Sequence, residues 1–177
     1  GSYGVWDLEA ALMGTTPYLA LAGRQDDVTA FTVLNSNGTF ARVEAISPIP
    51  QSTAAISEVE LIGLGATTLF AQGRDTAQGV EIFSLSSGYD LTLLNRIEDT
   101  PALLLADTSA MAQARVGDST FLFVASAREH GVTTLSIGPA GGTVVATLDG
   151  MKDIGISVPT SLEVATEAVD RLHVTAA

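Results

Sequence analysis

The chain has 177 residues, 46% hydrophobic content and a mean hydropathy of +0.34, which fits a folded core and excludes a disordered tail. Acids outnumber bases 20 to 8, and the net charge of −12 repels phosphate backbones and anionic lipid, so nucleic acid is excluded as an expected partner. No cysteine, no run of about 18 apolar residues and no basic-then-apolar leader is present, so the sequence offers no disulfide, no thiolate chemistry, no membrane span and no visible signal peptide.

In chain order, the first apolar stretch is "DLEAALMGTTPYLALAGR" from Asp7. It is followed by "TAFTVLN", the turn "SNG" with Gly38, and "TFARVEAI". The next block gives candidate strands at 58–64, 67–73, 79–86 and 91–98, rich in Val, Ile, Leu, Phe and Thr and divided by Gly, Asp and Ser turn signals. A third block runs from Ser109 and includes "VTTLSIG", the turn "PAGG" and "TVVATLD". A last block, "SLEVATEAVDRLHVTAA", starts at Ser161. Residues 6–14 and 161–172 also read as amphipathic helices, but their counterparts "SEVELIGLG" and "SAMAQARVG" do not. One position of a repeat should hold one structure, so strands are expected throughout.

The four blocks start at 7, 57, 109 and 161, a period of 50 to 52 residues. A recurring unit of that length with four short strands is the blade of a β-propeller, in which no blade covers both of its own faces. The expected fold is therefore all-β, a propeller segment of about three and a half four-stranded antiparallel blades and part of a larger ring. The expected repeats are 7–56, 57–108, 109–160 and a partial 161–177, with Pro48, Pro50, Pro101 and Pro159 in the linkers. A half-blade at the end suggests a piece of a longer polypeptide, with further blades or other copies of the chain as partners.

The stretch "GRDTAQGVEIFSLSSGYDLTLLNRIED" (73–99) resembles a lactonase-type propeller blade. It also resembles the propeller-like repeats at the front of secreted bacterial calcium-repeat (RTX-type) proteins. The resemblance implies a seven-bladed ring and, for the second group, an extracellular or cell-surface, calcium-rich setting. The motif G-G-x-G-x-D does not occur here, since Gly141-Gly142 is followed by no G-x-D. No His and Glu arrangement matches a lactonase site.

Arg24, Arg74 and Arg128 recur at the end of the second strand of their repeats, followed by Asp26, Asp27, Asp75 and Glu129. On a propeller these loops share one side, so Arg24, Arg74, Arg128, Asp75 and Glu129 form a candidate rim for an anion, a carbohydrate or a protein ligand. The alternative is that each Arg closes its own hairpin. Glu9, Glu60, Gln113 and Glu163 lie on first strands, which line the channel, and converging acids there suit a cation or a sugar. Asp99, Asp107, Asp149 and Asp153 fall in linkers, without EF-hand spacing. The two histidines, His130 and His173, have no paired spacing for zinc or a triad. No catalytic residue is assigned and no cofactor is evident, calcium being the one left open. The expected function is a non-enzymatic binding or assembly scaffold in a secreted or surface bacterial protein. The alternative is a lactonase-like hydrolase whose site is completed by further blades.

Overall fold

The computed structural model describes residues 5–13, 16–23, 28–46, 56–74, 79–88, 90–155, 157–167 and 171–176. Fourteen strands follow one another along the described chain. The first blade holds β1 (Val5–Met13), β2 (Thr16–Gly23), β3 (Val28–Leu34) and β4 (Phe40–Ile46). The second holds β5 (Ile56–Leu64), β6 (Thr67–Arg74), β7 (Val80–Leu85) and β8 (Leu91–Ile97). The third holds β9 (Thr108–Val116), β10 (Ser119–Ser126), β11 (Gly131–Gly138) and β12 (Gly141–Asp149). A two-stranded sheet, β13 (Leu162–Glu167) with β14 (Arg171–Ala176), comes last. Each sheet is antiparallel and ordered as the chain runs. The all-β partial propeller expected from the repeat is thus observed, and residues 6–13, 162–167 and 171–172 are strands.

The local chemistry explains the strands. β-branched and aromatic residues fill them, and the connections use residues that accept tight turns. Between β3 and β4 the chain turns at Asn35, with Gly38 at a φ of 81° and its N–H donating to the Asn35 carbonyl at 2.9 Å. A π-helical turn, Gly150–Ile154, follows β12 and is held by the Asp149 carboxylate accepting from the Lys152 N–H at 3.0 Å.

The first strands of successive blades lie side by side, β1 against β5, β5 against β9 and β9 against β13. The blades fan out from this inner line, and the core sits between them in three layers. Tyr18 and Ala20 of the first blade meet Val59, Leu61, Phe70 and Phe83 of the second. Ile62, Leu69, Val80 and Ile82 of the second meet Met111, Leu122, Val124 and Leu135 of the third. Ala110, Phe123 and Ala125 of the third meet Leu162 and Val164. Each fully buried Leu, Ile or Phe contributes roughly 1.5–3 kcal/mol, so the seams between blades supply most of the hydrophobic stability. At the outer rim the Asn95 side chain is a two-way clasp. Its Nδ2 donates to the Gly142 carbonyl at 2.8 Å, and its Oδ1 accepts from the Gly142 N–H at 3.1 Å.

Every complete blade carries the same irregularity. One extra residue bulges from the start of the first strand: Trp6 in β1, Ser57 in β5 and Ser109 in β9. The inner hairpins close at Met13–Thr16, Leu64–Thr67 and Val116–Ser119. Positions 51 apart therefore correspond between the first two blades, and positions 52 apart between the next two. This corrects the alignment read from the sequence, in which Asp7 stood opposite Ser57: Asp7 corresponds to Glu58 and Glu9 to Glu60. The outer strands bulge too, at Ala41, Leu94 and Val145, which makes each outer edge a poor template for a foreign strand.

Candidate functional site

The inner strands bring together acids that the linear sequence scatters. Strand alternation sends Asp7 and Glu9 of β1 to one face, and Glu58 and Glu60 of β5 to the equivalent face of the next blade. Asp7 crosses the first seam: its Oδ2 accepts from the Val59 N–H at 2.8 Å while its Oδ1 accepts from the Leu8 N–H at 2.8 Å. Glu58 lies close enough to Asp7 for the Asp7 charge to act on it. Glu60 is buried and hydrogen-bonds Gln113 of the third blade, whose Nε2 also donates to the Leu61 carbonyl at 2.6 Å.

Burial and crowding shift these groups upward. Burial first, then the charge of Asp7, pushes Glu58 up to about 9. Burial and the charge of Glu9 push Glu60 up to about 8, against the Gln113 hydrogen bond, which lowers it. Glu9 is raised by burial and by Asp7. Glu58 and Glu60 therefore favour the protonated form at neutral pH. The site gathers carboxyl groups suited to hydrogen-bonding hydroxyls or to holding and moving a proton. Among the described residues, no group of three or more His, Cys, Asp or Glu side chains is arranged to hold a metal ion.

Of the four channel residues read from the sequence, Glu9, Glu60 and Gln113 meet here, while Glu163 stands exposed on β13. Asp7 and Glu58 were not singled out by sequence. The available signal was a pair of acids two apart, Asp7/Glu9 and Glu58/Glu60, at equivalent places in two repeats.

Of the rim residues, Arg74, Arg128 and Glu129 are described, and their settings differ. Arg74 is buried at 1% exposure, and its Nε and Nη2 donate to Glu81 Oε2 at 3.2 Å. Glu81 is buried as well and also accepts from the Gln72 amide and from Arg96. Burial alone would raise the Glu81 carboxyl, but Gln72, Arg96 and Arg74 hold it below the ordinary carboxylate range. Glu129 is spent locally, its Oε2 accepting from the Ala106 N–H at 2.9 Å. Arg128 is exposed. Arg24 and Asp75, with Asp26, Asp27, Pro48 and Pro50, lie outside the described residues. His130 sits at a left-handed φ of 59° with Nδ1 buried and unpartnered, and the strand carrying His173 is β14. Asp149 and Asp153 order the π-helical turn, and Asp99 accepts from the Leu105 N–H at 3.1 Å in the linker after β8. Asp107 lies at a φ of 56° in the same linker.

No protein-family model matches the chain, and no curated protein sequence does. Solved structures do match. The chain is similar to the periplasmic gluconolactonase of Pseudomonas aeruginosa, with a TM-score of 0.63 and 13% identity over 98% of this chain and 43% of that one. It is also similar to the exo-β-1,3-galactanase of Phanerochaete chrysosporium with β-1,3-galactotriose, with a TM-score of 0.65 and 12% identity over 94% of this chain and 45% of that one. At such identities the likeness shows the fold alone, a partial propeller. The chain spans less than half the length of either protein. Among the described residues, no helix is long and apolar enough to cross a membrane.

Proposed function

We propose that this chain is a non-enzymatic binding and assembly scaffold, a propeller segment that presents one open blade face for another blade to cover. One observation carries it. Val59 and Leu85 of the second blade are buried under the first at 2% and 5% exposure. Their counterparts 51 residues earlier, Leu8 and Leu34, are 52% and 37% exposed, and Leu12 beside them is 66% exposed. The open face also holds a recess of about 290 Å³ lined by Ala10, Leu12, Pro17, Leu19 and Leu34 among others. A face of this make-up on a repeat protein is a docking face. Further blades or a second copy are the proposed partners, with Arg128 left to meet a carbohydrate or protein ligand. The proposed setting is a secreted or surface bacterial protein, supported by the likeness to a periplasmic enzyme. The calcium-repeat kinship belongs to the same proposal and rests on the blade sequence of 73–99.

Sedimentation tests it. The intact chain should run larger than its 18.2 kDa monomer at micromolar concentration, or bind separately supplied blades. Leu8→Asp with Leu12→Asp should abolish that association while leaving the circular dichroism unchanged. A wild-type chain that stays monomeric and ignores other blades refutes the proposal.

A second reading, a lactonase-like hydrolase completed by further blades, is favoured by the axial carboxyls. Glu60, pushed up to about 8 by burial and by the charge of Glu9, is the kind of carboxyl group that a general acid requires. On that reading, Glu60→Gln in the full polypeptide lowers kcat for lactone hydrolysis by roughly 10²- to 10⁴-fold. An unchanged kcat, or no hydrolysis by the parent, removes it.

A further inference from the structure

We propose that the open face of the first blade docks onto the same face of a second copy of the chain about a two-fold axis, with Phe40 of each copy seated in the recess of the other. This specifies the partner in the scaffold reading and rests on it.

The face carries both halves of a fit. Phe40 is 58% exposed and pairs across strands with Leu34, so the two side chains share a face. Leu34 in turn lines the recess of about 290 Å³ with Ala10, Leu12, Pro17 and Leu19. A projecting ring and a hollow thus stand on either side of one leucine. Pockets for drug-sized ligands run to roughly 300–1,000 Å³, so this smaller hollow suits a single large side chain. The turn before Phe40 is held by Asn35, Asn37 and Thr39 bonding one another, which gives the ring a fixed base.

The second blade has neither feature. The strand pairings match Ala10, Leu19 and Thr32 of the first blade with Leu61, Phe70 and Phe83 of the second. Those three are fully buried and fill the seam from their own side. Smaller residues at all three places open the hollow in the first blade. At the outer pair the change runs the other way: Phe40 stands where the second blade has Leu91, which packs against the seam. The back of the first blade is therefore fitted to a face without ring or hollow. A second copy related by a two-fold axis brings a ring to each hollow.

Charge permits the contact. Leu8, Ala10 and Leu12 alternate along β1 with Asp7 and Glu9, which take the opposite face. None of the described residues named on this face is charged, so the net charge of −12 lies away from it. Leu34 lies between ring and hollow, so the axis passes beside it and sets it against its own copy. Such an isologous contact closes at two chains, whereas a head-to-tail stack of blade on blade continues beyond two unless a ring forms.

Sedimentation of the intact chain should show one association step that ends at twice the 18.2 kDa of a single copy. Phe40→Ala should raise the dimer dissociation constant by at least about 30-fold, the effect of removing a buried aromatic anchor. Ala10→Leu puts the second blade's residue into the hollow and should weaken the dimer as well. Both positions are exposed, so circular dichroism should stay unchanged. One variant keeps its hollow and the other its ring, so an equimolar mixture should associate more tightly than either alone. A mixture no tighter than the single variants overturns the proposal, and so does Phe40→Ala at wild-type affinity. Species that keep growing with concentration overturn it and leave the scaffold reading standing, as does a monomer that binds separately supplied blades. A monomer that binds none overturns both.

Discussion

Replacing Glu81 by alanine should lower the unfolding free energy by about 3–5 kcal/mol, the usual cost of deleting one member of a buried ion pair. The reason is asymmetric burial. Glu81 and Arg74 are each 1% exposed, and the Glu81 carboxylate gathers donors from Arg74, Gln72 and Arg96. Removing it leaves a guanidinium held away from water without its carboxylate. Urea titration followed by circular dichroism measures the effect as a lower midpoint with an unchanged slope. The double variant Glu81→Leu with Arg74→Met removes both charges and should recover much of the loss. If Glu81→Ala costs under about 1 kcal/mol, water reaches the pair and the packing described for the second blade is wrong. Acid should weaken the same cluster. The Glu81 carboxyl is held below its ordinary range, so its stabilisation is present above that range and is lost as pH falls through the depressed value. Glu58 acts in the opposite direction, so the chain should be most stable in mild acid and weaken on both sides.

Gly79→Ala should be comparably damaging for a different reason. Gly79 holds a φ of 77°, and a Cβ there runs into the Ile97 carbonyl and the Asp99 amide, which are backbone atoms with little room to move. Left-handed strain costs an L-residue about 1–2 kcal/mol, and displacing the β7–β8 pairing adds to it. The expected total is about 3 kcal/mol, read as a fall in Tm of roughly 6–12 °C for a chain of this size. Gly65→Ala is the control. Its φ is 61°, but open space surrounds the added methyl, so only the strain remains. A fall of roughly 2–8 °C, smaller than that at Gly79, is expected there. Equal losses at the two glycines would mean that the β7–β8 contact is not tight.

The period of the sequence led to the right architecture because each blade repeats both its strand chemistry and its turns. The Val, Ile, Phe and Thr runs gave strand limits within two residues for β5, β6, β7 and β8. The register was harder. Aligning the repeats on a small polar or acidic residue sets Asp7 opposite Ser57, but Ser57 is the bulged residue of β5 and its counterpart is Trp6, which is neither small nor polar. That single slip hid the equivalence of Asp7 with Glu58, and with it half of the axial line. Glu9, Glu60 and Gln113 were legible because strand alternation on an inner strand suffices to place them. Arg74 read as a rim residue because its repeat position is at a strand end. Its partner Glu81 lies across the hairpin, a pairing that depends on how β7 returns against β6. Sequence spacing does not specify which face that return presents.

The clasp at Asn95 has a mechanical consequence. The second and third blades are fastened at two heights, by Gln113 on Leu61 near the inner line and by Asn95 on Gly142 at the rim. A pair of sheets pinned at both heights cannot be peeled apart from one edge. Pulling the third blade from the second must break the inner and the outer pin together, so the two should part in one abrupt step rather than unzip.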